Sequence, residues 1–438
     1  MGWQSNGRAT RLRPGMTTTE ATLHTRDPFR SLLALSRRGG DVARYRAGTE
    51  AAFLINNPAY VKHVLVDNHE NYSKGTFINN LFKQAIADGL LTSEGEDWWR
   101  QRRLMQPAFY RERVARIGDG VTEATLAMAE RWGSNVRTGE PLDVAAEMGS
   151  LTLRITTRAL FSVDISQEAD SLGHRIAEGL GYLISPDTPE FLRGRAGVEE
   201  TVSAIIEERR TDDREYADLL AMLFAARDQD TGEAMSDREV RDQVITLMLA
   251  GYETTANALT WNWYLLSQNP RPMAVLAEEV RAVLSGRVAT VADLPQLPYN
   301  RMVLDESMRL YPPAWILGRR ALAEDRLGDQ VIPAGSVVAL CPYTMHRNPA
   351  FWDEPEEFRP ERFTRDRAAA RPPFAYFPFG GGPRLCIGHN FALLESQLIT
   401  ATLAQRFRVE LVPDHPVLPE RRFVLRPRGG LPMIVRAA

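Results

Sequence analysis

The run from Phe379 to Gly388 constrains this chain more than any other segment. It surrounds Cys386, one of only two cysteines, with glycines, an arginine and an aromatic residue. Glycine lets the backbone take positive φ angles and approach a flat ligand closely. Backbone N–H groups in a tight loop, together with the N-terminus of a following helix, stabilise a thiolate. The run therefore predicts a pocket in which Cys386 is a thiolate ligand.

A helix is predicted directly after this run. From Gly388 to Phe407, apolar side chains recur at helical spacing, and these are Phe391, Leu394, Leu398, Ile399 and Leu403. Cys386 is thus expected near a helix N-terminus, where the helix dipole favours an anion. For a lone cysteine beside a glycine turn, a buried structural thiol is the alternative interpretation.

Composition excludes several classes of protein. The 438 residues carry a net charge of −3, so a general nucleic-acid binder is not expected. Cys341 and Cys386 give neither a zinc nor a disulfide framework, which fits a reducing compartment, the cytoplasm. Residues 1–26 have no long apolar stretch, so neither a signal peptide nor a membrane anchor is expected. We expect residues 1–26 to be disordered and residues 27–438 to form a single domain.

The order of predicted elements indicates a mainly α fold with a small β portion. Two strand-like runs, Val42–Arg46 and Ala51–Ile55, precede a mostly helical stretch from about residue 93 to 310. After Pro312 and Pro313 the sequence changes to short β-type runs between loops. There is no internal repeat and no βαβ rhythm, so a doubly wound nucleotide-binding fold is not expected.

One predicted helix is long enough to cross a whole domain. Ser236 and Glu239 have the spacing of a capping box, and the helical pattern continues to about Ser267, before Asn269-Pro270. At about 1.5 Å per residue this helix spans roughly 48 Å. Within it, Gly251 and the hydroxyl of Thr254 are expected to open a local distortion for a small ligand or water. The alternative is a Thr254 hydroxyl bonded to the Ala250 carbonyl and a Glu253 that faces solvent.

The Cys386 run resembles the haem-binding loop of the cytochrome P450 family, Phe-x-x-Gly-x-Arg-x-Cys-x-Gly. Every fixed position matches, including Phe379, Arg384 and Gly388, and the family's continuation is present as Ala392 and Glu395. A buried structural cysteine would not require these matches. The resemblance implies a cytochrome P450 fold enclosing haem b (iron protoporphyrin IX), with Cys386 as the axial ligand of the haem iron.

Two further segments resemble family motifs. Residues 250–255 resemble the oxygen-binding groove, in which Ala250 would contact the haem and Glu253 with Thr254 would form the acid–alcohol pair that delivers protons. The Glu-x-x-Arg motif is matched by Glu306 and Arg309. Such a pair is usually a surface salt bridge worth little. With Arg362, from a segment that also resembles the family, the resemblance implies a buried charge network that holds the Cys386 loop.

A fourth match, Trp98-x-x-x-Arg102, lies on a predicted helix face. The two propionates of a haem need desolvated cationic partners, which an indole N–H and a guanidinium suit. By the same resemblance Arg384 and Arg320 are further propionate partners, with Arg319 as the rival of Arg320. The remaining arginines near this helix form a basic cluster, for which a solvated face is the default interpretation. The resemblance gives the competing hypothesis, a docking site for an acidic redox protein. The cluster comprises Arg100, Arg103, Arg111 and Arg113.

The four motifs span residues 95–395, and the resemblance implies a haem-thiolate monooxygenase of secondary metabolism. It would insert one oxygen atom from O2 into a small hydrophobic substrate, by hydroxylation or epoxidation, with electrons from a separate ferredoxin and reductase. A peroxide-driven peroxygenase, a haem-binding sensor or carrier without turnover, and a haem-free scaffold are the alternatives. Terpenoid, fatty acid, macrolide and steroid substrates all stay open. The predicted pocket is lined by Phe77, Ile78, Leu81, Phe82, Leu247, Met248, Ala250, residues 314–317 with Ala314, Ile316 and Leu317, and Phe423.

Overall fold

The computed structural model of the chain describes residues 21–22, 28–47, 50–162 and 188–438. Most of the N-terminal segment predicted to be disordered, residues 1–20 and 23–26, lies outside this part. Ala21–Thr22 form a strand, β1, which pairs in parallel with Tyr45 and Arg46.

Helices make up most of the described chain, which confirms the predicted mainly α class. The α-helices of the described residues are α1 Pro28–Arg38, α2 Pro58–Lys62, α3 Phe77–Ile86, α4 Gly95–Met105, α5 Arg111–Ala115, α6 Gly118–Thr138, α7 Val144–Phe161, α8 Pro189–Thr211, α9 Leu219–Ala225, α10 Asp237–Gln268, α11 Pro270–Leu284, α12 Pro298–Leu310, α13 Pro342–Met345, α14 Arg365–Ala370 and α15 His389–Ala404. A π-helical turn, His63–Asp67, follows α2, and short 3₁₀ turns include Pro360–Phe363 and Gly382–Arg384.

The strands form one larger sheet and three small ones. The remaining strands are β2 Val42–Ala47, β3 Glu50–Ile55, β4 Tyr72–Ser73, β5 Leu142–Asp143, β6 Leu317–Ala321, β7 Asp325–Leu327, β8 Gln330–Ile332, β9 Val337–Leu340, β10 Phe407–Leu411, β11 Pro419–Arg421, β12 Leu425–Pro427 and β13 Pro432–Ala437. The order in the larger sheet is β1-β2-β3-β9-β6-β4, and β10-β13-β5 form the second sheet. The pairs β7-β8 and β11-β12 are antiparallel hairpins. The two predicted N-terminal strand runs coincide with β2 and β3.

The predicted long helix is α10, and its boundaries follow from its caps. The hydroxyl of Ser236 accepts the Glu239 N–H, and the Glu239 carboxylate accepts the Ser236 N–H, so the capping box is formed. Asn269 ends the helix because Pro270 begins α11. At about 1.5 Å per residue, α10 spans roughly 48 Å. Apolar residues are buried along its whole length, as expected for a helix in the centre of a domain.

The main core forms where α10 packs with α6, α7, α12 and α15. Trp132, Trp263 and Leu398 are fully buried in it. The apolar face predicted after Cys386 lies in this core, since Phe391, Leu394, Leu398, Ile399 and Leu403 of α15 are all buried. A second apolar cluster joins α4 to the N-terminal half of α10. Among the described helices, none combines the length and the apolar character that crossing a membrane requires.

Candidate active site

The loop that carries Cys386 is closed by its own backbone. The Cys386 N–H donates to the Phe379 carbonyl at 3.1 Å. Gly380 and Gly382 have φ angles of 73° and 66°. A Cβ at Gly382 would overlap the Leu65 carbonyl of the π-helical turn, so only glycine fits where the two backbones meet.

Cys386 differs from the other cysteine in its surroundings. Cys341 is buried, and its thiol donates to the Trp315 carbonyl at 3.2 Å. The side chain of Cys386 is exposed, yet burial within the fold raises the pKa of its thiol, while the Gly388 N–H and the charge of Arg102 lower that pKa. The Cys386 sulfur thus lies deep in the protein without being packed, and its two neighbours favour the thiolate that a metal would bind.

Three cations come together next to the Cys386 loop, and we call Lys74, Arg319 and Arg384 the cation cluster. Glu94 is the carboxylate that acts on all three, and it lies 3.9 Å from Arg384. Burial lowers the pKa of Arg319 and of Arg384 to about 10 each, and the charge of Arg384 further lowers that of Arg319. Burial, followed by the charges of Arg319 and Arg384, lowers the pKa of Lys74 well below its usual value. Arg319 is buried, whereas Lys74 and Arg384 are half-buried. The Lys74 ammonium also donates to the Leu91 carbonyl, and Arg384 donates to the Ser93 carbonyl. Three cations that share one carboxylate make a site for an anionic ligand.

Helix α4 links the cation cluster to the Cys386 loop through Trp98 and Arg102, whose predicted role as propionate partners stays a prediction. The ring of Trp98 is 4.2 Å from the Arg384 guanidinium carbon, in a cation–π contact. One turn later, Arg102 donates to the Leu385 carbonyl at 3.0 Å. Both side chains therefore reach the loop from the same face of α4.

Arg320, predicted as a cofactor partner, does not join the cation cluster. Its guanidinium pairs with Glu50 at 2.7 Å and donates to the carbonyls of Gly75 and Gly335. Arg319, its rival, is only 7% exposed and lies close enough to Arg384 for the charge of Arg384 to lower the pKa of Arg319. Successive side chains of β6 point to opposite faces of the sheet, so just one of the two arginines fits the cluster.

The central helix is continuous through residues 250–255, so the expected local distortion is absent there. Thr254 Oγ1 donates to the Ala250 carbonyl at 2.7 Å, which is the alternative considered for this residue. Gly251 lets α7 approach closely, since a Cβ there would lie 3.2 Å from Thr156 Cγ2. The backbone of α10 is therefore regularly helical between residues 250 and 255.

Glu253 is half-buried, so it does not extend freely into solvent as the other half of that alternative has it. Its Oε2 is buried and has no hydrogen-bond partner in the described structure. Burial raises the pKa of Glu253 to about 7, against the opposing charges of Arg426 and Arg422. A carboxyl with this pKa can give and take a proton at neutral pH.

The predicted charge network is formed and buried, and we call Glu306, Arg309 and Arg362 the acid-centred network. Arg309 makes a bidentate pair with Glu306 at 2.7 and 2.8 Å, and both side chains are fully buried. Arg362 lies 3.3 Å from the same carboxylate. The remaining donors of Arg309 go to the carbonyls of His346, Pro355 and Glu357. The surface salt bridge considered from sequence is therefore wrong for this pair.

The predicted substrate pocket is assembled only in part. Phe82 and Phe423 contact each other edge to face, with ring centroids 4.9 Å apart, and both pack on the apolar cluster that also contacts Leu247 and Ile387. The other half-buried candidates are Leu81, Ala250, Ala314, Trp315, Ile316 and Leu317. The side chain of Ile78 lies outside the described part of the structure.

Two residues predicted to line the pocket do not present an enclosed surface in this structure. Met248 is fully buried among apolar neighbours and presents no surface to a ligand. Phe77 is 68% exposed, far more than a side chain enclosed in a pocket. Of the two neighbouring candidates on α10, Leu247 has a partly free surface and Met248 does not, because adjacent side chains of a helix point in different directions.

Two features of this region were not predicted from the sequence. Lys74 follows strand β4 as an isolated cation, and no local pattern marks it as part of a site. Of the predicted basic cluster, Arg100 pairs with Glu239, and Arg103 pairs with Asp228 at 3.1 Å. These two arginines join α4 to the chain around the start of α10, whereas Arg111 and Arg113 of α5 are exposed.

Taken together, the residues fit a flat, metal-containing group that bears carboxylates. An unpacked thiol in a glycine loop suits the metal, and the cation cluster suits the carboxylates. Within the described residues, there is no cluster of three or more His, Cys, Asp or Glu side chains that would hold a metal ion alone.

Comparison with known proteins agrees with this geometry. Residues 19–432 match the sequence profile described as Cytochrome P450. Cyclooctatin synthase of Streptomyces melanosporofaciens is 37% identical, over 94% of this chain and 92% of that protein. Pentalenene oxygenase of Streptomyces avermitilis is 34% identical, over 90% and 89%. A crystal structure of the cytochrome P450DA haem domain superposes with a TM-score of 0.86 at 26% identity, over 94% and 93% of the two chains.

Proposed function

Because the chain belongs to the cytochrome P450 family, we propose that Cys386 supplies the thiolate that holds its haem iron. The chain is a haem-dependent monooxygenase that uses O2, electrons from a redox partner and a hydrophobic substrate. The haem, when bound, supplies the activation of O2. The observation that carries the assignment of Cys386 is its unpacked sulfur, with the Gly388 N–H and Arg102 beside it.

The cation cluster would bind the two propionates of haem b. Lys74, Arg319 and Arg384 are desolvated, and Glu94 offsets only part of their charge. Trp98 and Arg102 hold this region against the Cys386 loop, and Ala250, Phe379 and Gly388 would line the porphyrin. A pyridine haemochromogen spectrum of the extracted cofactor tests haem b against other haems.

The thiolate assignment is tested by the absorption spectrum of the dithionite-reduced, carbon-monoxide-bound protein. We expect a strongly red-shifted Soret band that is lost in Cys386→Ser. Cys341→Ser is the matched control and should keep the band, because the Cys341 thiol is buried against the Trp315 carbonyl. A red-shifted band that survives in Cys386→Ser would contradict the assignment.

Glu253 and Thr254 would hold and move the protons that oxygen activation consumes. The pKa of Glu253 is raised to about 7, and the Thr254 hydroxyl donates to the carbonyl of Ala250, one helical turn earlier. We expect Thr254→Ala to release more hydrogen peroxide per O2 consumed. Thr260→Ala is the control, since Thr260 makes the same 2.7 Å bond to the carbonyl four residues earlier. Equal peroxide release by both variants would remove Thr254 from the proposal.

The substrate is proposed to be a cyclic terpenoid. One relative is named cyclooctat-9-en-7-ol 5-monooxygenase and another pentalenene oxygenase, and the candidate pocket of this chain is apolar and aromatic. We expect cyclic terpene alcohols to cause a substrate-type spectral shift at lower concentration than fatty acids of equal carbon number. Turnover under ¹⁸O2 should label the product, whereas a peroxygenase would take label from H2¹⁸O2 and a sensor would form no product.

The electron donor is proposed to be a ferredoxin, reduced by a separate reductase in the cytoplasm. Arg111 and Arg113 are exposed on α5, beside exposed Tyr110, and an acidic protein would contact them there. We expect the double change of Arg111 and Arg113 to Glu to slow ferredoxin-supported turnover and to weaken its dependence on salt. Arg38→Glu, an exposed arginine at the end of α1, should have no such effect.

A further inference from the structure

The loop between α3 and α4 supplies hydrogen-bond acceptors to the cation cluster, and we call its residues 87–94 the bridging loop. The Leu91 carbonyl accepts the Lys74 ammonium. The Ser93 carbonyl accepts the Arg384 guanidinium at 3.2 Å. Two of the three cations are therefore bonded to the backbone of this loop.

The bridging loop also carries the carboxylate of the cluster. Glu94, its last residue, lies 3.9 Å from Arg384 and accepts the backbone N–H of Lys74. Its charge acts on all three cations. Because the loop provides both the carbonyls and this carboxylate, its position decides where the Lys74 and Arg384 side chains are held.

Buried side chains hold the bridging loop in one shape. The Thr92 hydroxyl donates to the Ala87 carbonyl at 2.7 Å. The Gln101 amide of α4 donates to the Asp88 carbonyl at 3.3 Å and accepts the Ser93 hydroxyl at 2.7 Å. Thr92, Ser93 and Gln101 are all buried, so these bonds are shielded from water. A shift at one point of the loop would therefore move the rest of it as well.

Gln243 of α10 binds this loop at its centre. The Leu90 N–H donates to Gln243 Oε1 at 2.9 Å, and both residues are buried. Since a backbone N–H can only donate, the bond fixes which way the Gln243 amide points. Gly89 lies directly on the same helix, because a Cβ there would come within 2.1 Å of Thr246 Oγ1. The loop is thus seated on α10, with Gln243 as its side-chain anchor.

The other half of the Gln243 amide makes no bond within the described chain. Its Nε2 is buried and has no hydrogen-bond partner there. An unpaired amide N–H costs stability, whereas an apolar side chain of similar length would avoid that cost and lose only the Leu90 bond. These two contributions have similar size and opposite sign. Gln243 therefore adds little to the stability of the fold, and its contribution is to hold the loop in place.

We propose that Gln243 is a positioning residue for the haem, because it holds the bridging loop through the Leu90 N–H. The loop in turn holds Lys74 and Arg384 where they bind the haem carboxylates. The inference rests on the proposed function of the cation cluster. It adds a neutral residue of the central helix to those that determine how firmly the haem is retained.

The test is the rate at which the loaded enzyme transfers haem to apomyoglobin. Gln243→Met removes the acceptor at nearly constant length, and haem loss should become roughly threefold to tenfold faster, as expected from one buried hydrogen bond. The Leu90 amide should also exchange its hydrogen faster. The far-ultraviolet circular dichroism and the red-shifted carbon-monoxide band of the loaded protein should not change, since the fold and the thiolate are untouched.

Gln243→Glu is the conservative variant. Desolvation keeps a buried glutamic acid protonated, and its carbonyl oxygen can still accept the Leu90 N–H. Because the Gln243 Nε2 has no partner to lose in the described chain, this variant should keep the wild-type rate of haem loss.

Gln397→Met is the matched control. Gln397 is a buried residue of α15 whose amide donates to the Leu393 carbonyl of its own helix at 2.9 Å. Its replacement should leave haem retention unchanged. Equal acceleration of haem loss in Gln397→Met and Gln243→Met would overturn the proposal, because any buried amide would then have the same effect.

A double-mutant cycle with Lys74→Met separates positioning from an unrelated weakening. If Gln243 acts through the loop, Gln243→Met should speed haem loss less in the Lys74→Met protein than in the wild type. Rates that multiply independently in the double variant would contradict the proposal. A wild-type rate in Gln243→Met, or no rescue by Gln243→Glu, would do so as well.

The same rates distinguish failure of this proposal from failure of the proposed function. If Lys74→Met speeds haem loss and Gln243→Met does not, the cation cluster binds the haem and Gln243 has no part in it. If Lys74→Met alone leaves haem loss unchanged, the cation cluster does not bind the haem carboxylates, and the role of Gln243 is refuted with it.

Discussion

The acid-centred network and the cation cluster differ in how completely their charged side chains are paired. In the acid-centred network, Glu306 is bound by Arg309 and Arg362, and Arg309 also donates to three backbone carbonyls. In the cation cluster, Lys74, Arg319 and Arg384 share one carboxylate, Glu94. The first group stabilises the fold because its bonds are made within the chain. The second is incomplete as protein alone, which is the property of a binding site.

The largest effect expected from this difference is on stability. Glu306→Gln removes the anion between Arg309 and Arg362 and leaves both guanidinium groups buried without it. We expect a loss of about 3–5 kcal/mol in the free energy of unfolding, or no folded protein. Denaturant unfolding followed by circular dichroism measures it.

Glu410→Gln is the control for that change. Glu410 pairs with Arg436 at 3.1 Å on the surface, where both side chains are about half exposed. Its loss should cost less than about 1 kcal/mol. Equal costs for the two variants would mean that the acid-centred network is no more important than a surface pair.

Mutation of the cation cluster should stabilise the haem-free protein but weaken the retention of haem by the loaded protein. Lys74→Met removes an ammonium group whose charge is disfavoured by desolvation and by Arg319 and Arg384, and which Glu94 and the Leu91 carbonyl compensate only in part. The haem-free protein should therefore gain stability, by about 1–3 kcal/mol. The haem-loaded protein should lose haem faster, because one partner of the carboxylates is gone. Unfolding of the haem-free protein and transfer of haem to apomyoglobin measure the two effects.

Lys62→Met provides the comparison, since Lys62 is about half exposed and pairs with Asp67. It should change neither quantity by more than about 0.5 kcal/mol. If Lys74→Met destabilised both forms of the protein, the cluster would be structural and not a ligand site.

The same lysine gives the haem-free protein a pH dependence of known sign. Burial, with the charges of Arg319 and Arg384, lowers the pKa of folded Lys74 well below its unfolded value of about 10.4. Between these two pKa values the unfolded chain binds the extra proton, so the free energy of unfolding rises with pH. The wild type should gain at most about 1.4 kcal/mol per pH unit relative to Lys74→Met. Parallel curves for the two proteins would show that Lys74 titrates normally.

Sequence was sufficient where the determinants are local. The caps of α10 are adjacent to the helix they bound, Ser236 and Glu239 at one end and Asn269-Pro270 at the other. The glycines of the Cys386 loop were likewise predictable, because a left-handed φ at Gly382 is a property of that residue. The fold class followed from the same local patterns.

Sequence was insufficient where a role depends on distant partners. Lys74 becomes a site residue only because Glu94, Arg319 and Arg384 surround it in the folded chain. Arg100 is tied to Glu239 of α10, so a basic run in the sequence was not a basic surface in the fold. No local pattern reports such contacts, since they are made between elements far apart in the chain.

The smallest effect is expected when Arg319 and Arg320 are replaced in turn. It tests directly which of the two arginines belongs to the cation cluster. The two residues are neighbours on β6, and a shift of one position exchanges the faces of a strand. Arg319→Met should speed haem loss roughly threefold to tenfold, about 0.7–1.4 kcal/mol, because Lys74 and Arg384 remain to bind the carboxylates. Arg320→Met should leave haem loss unchanged, since Arg320 is bonded to Glu50 and to the carbonyls of Gly75 and Gly335. The reverse order of the two rates would return Arg320 to the cofactor site and make Arg319 a buried cation without a ligand.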